Sequence, residues 1–265
     1  MARTARHPVD FENPPVVEVA IAVQFDDLQK LTTPHLGRFW ASIADEFPRV
    51  EEYVPRPPSV ETFPRQQAEV QQFLLQLTGR SPVSRCWFVS PDGGQLIQIQ
   101  ADRFVFNWRK QESGYPRYAY VRKCFDEYLD RFRRFLTEHA IGDVTPNQCE
   151  VSYVNRLDVA PDRLAQLTPL WAGRHADDFL PKPETITNVV SYPMYGEHLE
   201  SPIGRLRVSI TSDGSATTLT LTARGTPQPE NLEGVGNVLD IGHEWIVNGF
   251  VSITTQRMHS AWGRK

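Results

Sequence analysis

The sequence has no run of apolar residues that approaches the roughly 18 needed for a membrane-spanning helix. Its three cysteines, Cys86, Cys124 and Cys149, are odd in number and form no CxxC pair. This pattern favours reduced thiols over a disulfide framework. Two arginines stand near the amino terminus, but the apolar stretch of a secretory leader does not follow them. We therefore expect a soluble, cytoplasmic protein that makes no membrane contact.

An excess of positive charge is also missing. The 265 residues include 28 Lys and Arg against 32 Asp and Glu, which gives a formal net charge of -4. Because binding to a nucleic-acid backbone needs a concentrated basic surface, this balance disfavours a nucleic-acid ligand, although it leaves room for a local basic patch. With 40% hydrophobic residues the chain can bury a substantial core, so we expect one or two ordered domains.

The motifs of common catalytic and cofactor sites are absent as well. The sequence has no GxSxG, GxxxxGK[ST] or GxGxxG, so it gives no support for a hydrolase nucleophile, a phosphate loop or a dinucleotide site. The seven histidines show no HExxH and no Cys/His ligand spacing, and His243 is assigned a surface or packing role. His175, Asp177 and Asp178 could supply metal ligands, but a solvated acidic turn is the simpler interpretation. We predict no metal site and no cofactor.

The residues that are present predict strands and helices. β-Branched residues alternate over 16–25, which is typical of a strand. Thr33 can cap the helix that follows, with Pro34 at its first position and apolar residues at helical spacing behind it. Four prolines between 51 and 68 indicate an irregular segment that crosses the structure, and a further strand is predicted over 70–77.

The stretch over 95–158 carries the clearest signals. The turn residues PDGG and AD separate three β-rich runs, which predicts a three-stranded antiparallel meander. Alternation gives the third run an aromatic face and a mixed face, formed by Phe104, Phe106 and Trp108 and, opposite them, by Val105, Asn107 and Arg109. An amphipathic helix is predicted from Tyr118, and the run CEVSYVNRLD is a further strand.

Three more strands are predicted toward the carboxyl terminus, over 184–192, 205–211 and 216–223, with a Ser-Asp-Gly turn between the last two. A closing helix follows, with an apolar stripe from Leu239 to Ile253 and a break at Thr254 or Thr255. The fold class is therefore α+β, an antiparallel sheet with helices packed on one face.

The two halves of the chain have the same order of elements. Each has a strand, a short helix, several antiparallel strands and a long helix, with the second short helix predicted over 164–171. VEVAIAVQFDD and CEVSYVNRLDV share a few identities, which either chance or an internal duplication can supply. We divide the chain into β-α-β(n)-α halves over 1–144 and 145–265 that form one cooperative domain. Helix-grip and TATA-binding-protein-like folds have this plan, and the analogy carries no function.

Several distinctive stretches carry a resemblance to a known family. They are PPVVEVAIAVQF, HLGRFW, LIQIQADRFVFNWRK followed by YPRY, CEVSYVNRLD, and LDIGHEWIVNGFVSITT with HSAWG. On these residues the chain resembles a family of sporadically distributed bacterial proteins of unknown function, from Asn13 to Gly263. The resemblance implies a single full-length unit, and a patchy distribution fits genes carried on mobile or defence-related loci. It supplies no catalytic residues.

Polar residues on two predicted strands are the candidate residues for binding a ligand or a partner: Arg103, Asn107, Arg109, Asn155 and Arg156. If the two strands share a sheet region, these side chains could converge on one face. The competing interpretation is a solvated Arg109 and a structural hydrogen-bond network around Asn155 and Arg156.

We expect a non-catalytic binding or accessory protein that holds a protein partner or a small ligand. The site would be the sheet face or the crevice between sheet and helices, and the sequence leaves room for a homodimer. The alternatives are a helix-grip binder of small ligands and an enzyme whose site is assembled from scattered polar residues.

Overall fold

The computed structural model describes residues 9–63, 83–157, 185–196, 201–212 and 216–265. The strands in these ranges are β1 (Val16–Phe25), β2 (Arg49–Tyr53), β3 (Arg85–Val89), β4 (Gln95–Gln100), β5 (Arg103–Arg109), β6 (Pro146–Leu157), β7 (Ile186–Met194), β8 (Gly204–Ser212) and β9 (Thr217–Gly225). The helices there are α1 (Thr33–Ala41), α2 (Tyr118–Glu138), α3 (Leu232–Ile253) and α4 (Gln256–Ala261). The strand predicted over 70–77, the helix predicted over 164–171 and the loop with His175, Asp177 and Asp178 lie outside the described residues.

The first strands of the two halves lie side by side at the centre of the sheet. The strand order is β2-β3-β4-β5-β1-β6-β9-β8-β7, and neighbouring strands are antiparallel. β5 lies beside β1 and β9 lies beside β6, so each half extends outward from the central pair. The prediction of an α+β fold with an antiparallel sheet is confirmed.

Helices cover one face of this sheet. In β5 the ring of Phe104 stacks on Phe132 of α2 and the ring of Phe106 stacks on Tyr128, both with centroids 5.8 Å apart. Trp108 follows on the same face and is 5% exposed, which confirms the aromatic face predicted for this strand. α3 packs against β6, β9 and β8 on the same face of the sheet. Because aromatic rings supply much of the buried area, this packing is a main source of stability.

The start of α1 and the position of β2 differ from the predictions. Thr33 is the first residue of α1, and the capping residue is Thr32, whose backbone N–H donates to Nδ1 of His35 at 3.2 Å. Strand β2 over 49–53 occupies the start of the segment expected to be irregular. All of its residues are exposed, so the alternation that marks a half-buried strand is absent. The break between α3 and α4 falls at Thr254 and Thr255, as predicted.

Residues 54–63, which we call the strap, cross the face of the sheet opposite the helices, which we call the open face. A row of paired residues spans β4, β5, β1 and β6 there: Gln100, Arg103, Gln24 and Gln148. The three glutamine side-chain oxygens accept hydrogen bonds of 3.1, 2.9 and 3.1 Å from the backbone N–H groups of Arg56, Ser59 and Glu61. The predicted crossing segment is therefore present over 54–63, and buried amides hold its main chain.

The segment that precedes β1 is paired with the carboxyl-terminal segment. Phe11 forms an antiparallel bridge with Arg264, and its ring packs edge-on against Phe250 of α3 with centroids 5.7 Å apart. The neighbouring Asp10 makes an ion pair of 3.2 Å with Arg117, directly before α2. This arrangement places residues 9–13 across the end of the groove between α2 and α3.

Candidate functional site

The structure brings three of the five candidate residues together. Arg103, Asn107 and Arg109 lie on the open face of β5, where Asn107 bridges Gln98 and Glu18 through hydrogen bonds. The side chain of Arg156 is exposed on a strand position that also belongs to this face, opposite Thr218.

Asn155 is not brought to them. Neighbouring residues of a strand point to opposite faces. Because Arg156 points to the open face, Asn155 points toward the helices. Asn155 is 2% exposed, and its side-chain amide donates to the carbonyl oxygen of Leu219 at 3.1 Å. The predicted convergence of polar side chains from the two strands on one face therefore fails, because Asn155 lines a different cavity on the helix side of the sheet.

The cavity that Asn155 lines, which we call the inter-helix cavity, lies between α2, α3 and the central strands. Its volume is about 540 Å³, within the range of small-molecule sites. Apolar side chains form most of its wall, including Val16 of β1, Leu221 of β9, and Ile246, Val247 and Phe250 of α3. Ala119, in the first turn of α2, is exposed at its mouth. The cavity therefore offers an apolar environment that is open at one side.

A hydrogen-bonded chain of three side chains runs along the inter-helix cavity. The hydroxyl groups of Tyr115 and Tyr153 are 2.8 Å apart, and the Tyr153 hydroxyl is 3.1 Å from Nδ1 of His243. Tyr153 comes from β6 and His243 from α3, while Tyr115 precedes α2. Three separate parts of the chain thus place their polar groups in one line within an apolar wall.

Burial keeps this chain uncharged. It lowers the pKa of His243 to about 4, although the carboxylate of Asp240 acts in the opposite direction. Burial also raises the pKa of Tyr115 to about 12, and it raises that of Tyr153 well above the usual value. At neutral pH the cavity therefore presents neutral hydroxyl and imidazole groups, which donate and accept hydrogen bonds.

The backbone at the rim of the inter-helix cavity is strained. Arg117 has φ of 76°, a conformation that costs a non-glycine residue roughly 1–2 kcal/mol. Its side chain compensates by donating from Nη1 to the carbonyl oxygen of Phe11 at 3.0 Å and by pairing with Asp10. The strained residue thus fixes residues 9–13 against the start of α2, where they form one wall of the cavity.

Tyr115 and Tyr153 were not among the predicted site residues, and the role predicted for His243 was a surface or packing role. A usable signal was present on α3, because His243 lies four residues after Leu239 and three before Ile246, within the apolar stripe of the helix. A histidine in such a stripe is placed against the core. No local pattern connects it to Tyr115 and Tyr153, since the three residues come from distant parts of the chain.

Other chemistry is sparse in the described part of the molecule. The three cysteines are free, and burial raises the pKa of Cys86 to about 11 and that of Cys149 to about 12, so neither thiol is ionised near neutral pH. The described residues contain no group of three or more His, Cys, Asp or Glu that could hold a metal ion. None of the described helices combines the length and hydropathy required to cross a membrane.

Comparison of the chain with protein-family models and with curated protein sequences found no match.

Proposed function

We propose that the protein is a binding protein that holds an uncharged small molecule in the inter-helix cavity. The molecule would have an aromatic or other apolar body and a hydroxyl or carbonyl group at one end. The observation that carries this proposal is the line of neutral polar groups, Tyr115, Tyr153 and His243, within an apolar cavity of about 540 Å³. A few fixed polar groups in an apolar wall are typical of small-ligand sites.

Charge supports a neutral ligand. Burying an ionised group without a partner is costly, and the three groups of the chain are neutral near pH 7. At the rim of the cavity, the positive charge of Arg117 is already neutralised by its ion pair with Asp10. A charged ligand group placed against Tyr115, Tyr153 and His243 would therefore lose its hydration shell without gaining a counter-charge from these three residues.

The same pKa shifts favour binding over proton transfer. A histidine with a pKa of about 4 is a weak base, and a tyrosine with a pKa of about 12 is a weak acid at neutral pH. General acid and base groups work best with pKa values near the working pH. The chain of hydroxyl and imidazole groups is therefore suited to orienting a ligand.

The strand order also supports the predicted duplication of a β-α-β(n)-α unit. β1 and β6 occupy equivalent central positions, and each is followed outward by the last strand and then the preceding strand of its own half. This symmetry is expected of an internal duplication in which two β-α-β(n)-α units share one sheet, with a ligand held between the sheet and its helices as in helix-grip proteins.

Blocking the cavity tests the proposal. Uncharged phenols and indoles, with 4-methylphenol and indole as the first probes, are titrated into the full chain and followed by calorimetry. Ala119→Trp and Val247→Trp should each weaken binding at least tenfold, because the added ring occupies the mouth or the wall. Ala41→Trp is the matched control, since Ala41 is exposed on α1 away from the cavity. Equal binding by the blocked and control variants would show that the cavity is not the site.

A further inference from the structure

The open face contains a second cavity, unrelated to the inter-helix cavity, and we call it the open-face cleft. It lies between the sheet and the strap and has a volume of about 330 Å³. The charged side chains among its described lining are four arginines and two glutamates: Arg56, Arg103, Arg109, Arg224, Glu18 and Glu150. The cleft is therefore locally cationic on a protein whose formal net charge is -4.

Each of the two glutamates pairs with an arginine on the neighbouring strand, Glu18 with Arg109 of β5 and Glu150 with Arg224 of β9. Glu18 lies 3.6 Å from Nε of Arg109 and accepts a hydrogen bond from Asn107. Glu150 accepts a hydrogen bond of 2.8 Å from Nε of Arg224. The two carboxylates of the cleft thus neutralise Arg109 and Arg224, and they form no ion pair with its other two arginines, Arg56 and Arg103.

The two other arginines that line the cleft, Arg56 on the strap and Arg103 on β5, have no carboxylate in ion-pair distance among the described residues, and neither does the nearby Arg85 on β3. Arg103 donates to the side-chain oxygen of Gln24 at 2.6 Å and to the carbonyl oxygen of Pro57 at 3.2 Å, both of them neutral acceptors. Burial lowers the pKa of Arg85, and repulsion from the nearby guanidinium groups of Arg56 and Arg103 lowers it further.

Buried donors without a partner lie on β3, beside the cleft. Nε and Nη1 of Arg85 and Nε1 of Trp87 are inaccessible to solvent and have no hydrogen-bond partner in the described part of the chain. Arg85 and Trp87 share the open face of β3, with the guanidinium carbon of Arg85 5.4 Å from the centre of the Trp87 ring. Trp87 lines the cleft. Buried donors without an acceptor are rare in proteins because each one costs its full desolvation energy.

We propose that Arg56, Arg85, Trp87 and Arg103 form a site for a phosphate group, carried by a small phosphorylated molecule or present as the free ion. The unpaired donors number three, and the phosphate dianion offers three terminal oxygens to accept from them. Its charge also balances the surplus of two arginines over glutamates in the cleft. A carboxylate would supply two acceptor oxygens and a single charge, and the small volume fits a small molecule held beneath the strap.

The test titrates the full chain with inorganic phosphate, glycerol 3-phosphate and acetate at low ionic strength, followed by calorimetry. Saturable binding of at least one phosphate compound is expected, with acetate at least tenfold weaker. Tighter binding of glycerol 3-phosphate would identify a phosphorylated molecule as the ligand, and tighter binding of inorganic phosphate would identify the free ion. Acetate binding as tight as phosphate, or the absence of saturable phosphate binding, would overturn the proposal.

Variants locate the binding. Arg85→Ala should weaken phosphate binding at least tenfold. Arg56→Ala should do the same, and because Arg56 lies on the strap outside the core, this variant stays informative if Arg85→Ala does not fold. Arg134→Ala is the matched control, since its side chain is 66% exposed on α2, a helix on the opposite face of the sheet. Equal weakening by the control and the Arg56 variant would mean general charge attraction and would contradict the assigned site.

Discussion

The ring of Tyr118 lies flat on the imidazole of His243, with centroids 3.9 Å apart and planes 8° from parallel. The contact joins the first turn of α2 to the middle of α3, beside an ion pair of 2.8 Å between Arg122 and Asp240. These two contacts hold the helices together above the central strands. They also fix the imidazole at the end of the hydrogen-bonded chain in the inter-helix cavity.

Tyr118→Ala should destabilise the protein by roughly 2–4 kcal/mol, because it removes both the buried area of an aromatic ring and its stacking on the imidazole. The free energy of unfolding in urea measures this loss. Tyr118→Phe keeps the ring and removes a hydroxyl whose bond to Asp240 is 3.3 Å long, so it should cost less than about 1 kcal/mol. A phenylalanine variant as unstable as the alanine variant would show that the hydroxyl, and not the stacked ring, holds the helices.

The stability of the protein should fall in mild acid because of His243. Its folded pKa is about 4, whereas that of an unfolded histidine is about 6.5. Between these values the unfolded chain binds a proton that the folded protein does not, so unfolding becomes easier as the pH falls from about 6.5 to 4. Allowing for partial exposure of the ring, we expect this group to contribute a loss of roughly 2 kcal/mol.

His243→Phe isolates that contribution. Phenylalanine keeps a ring for Tyr118 to stack on and has no proton to bind. Urea unfolding of both proteins at several pH values should therefore show less acid destabilisation in the variant. The pKa of His259 is also lowered by burial and by Arg264, and this effect is common to both proteins. Parallel stability curves for the two proteins would rule out His243 as the source.

The two halves should fold only together. β1 pairs with β6 from Val16 opposite Asn155 to Phe25 opposite Pro146, so either half alone would expose a long apolar central strand as an edge. We expect residues 1–144 and 145–265, expressed separately, to be poorly folded by circular dichroism and proteolysis. The intact chain should unfold in one calorimetric transition. Two separate transitions would mean two independent domains.

Much of the fold could be predicted because its signals are local. The alternation of aromatic residues in Arg103–Arg109 and the stripe of Tyr118–Glu138 follow directly from the periods of strands and helices. The pairing of β1 with β6 has no such signal, because its partners lie more than a hundred residues apart and turn chemistry cannot connect them. Strand β2 is exposed along its whole length, so its sequence does not show the alternation of apolar and polar residues that predicts a half-buried strand.

The candidate sites were less predictable for the same reason. Arg103 and Asn107 could be placed on one face from alternation alone. The proposed phosphate site also includes Arg56 and Arg85, whose positions depend on the path of the strap and on the pairing of β3 with its neighbours. Tyr115, Tyr153 and His243 meet only because α2 and α3 cross the central strands, a long-range arrangement that a sequence pattern does not encode.

The strap is held by hydrogen bonds to its main chain and by ion pairs of Glu61 with Arg205 and Arg224. The bonds from the N–H groups of Arg56, Ser59 and Glu61 end on glutamine side chains and belong to no strand ladder. The strap can therefore lift off while the described strands stay paired, an opening that needs less energy than unfolding. Its amides should exchange with solvent faster than those of β1 beneath it, and a cleft closed in this way can admit a molecule without rearranging the sheet.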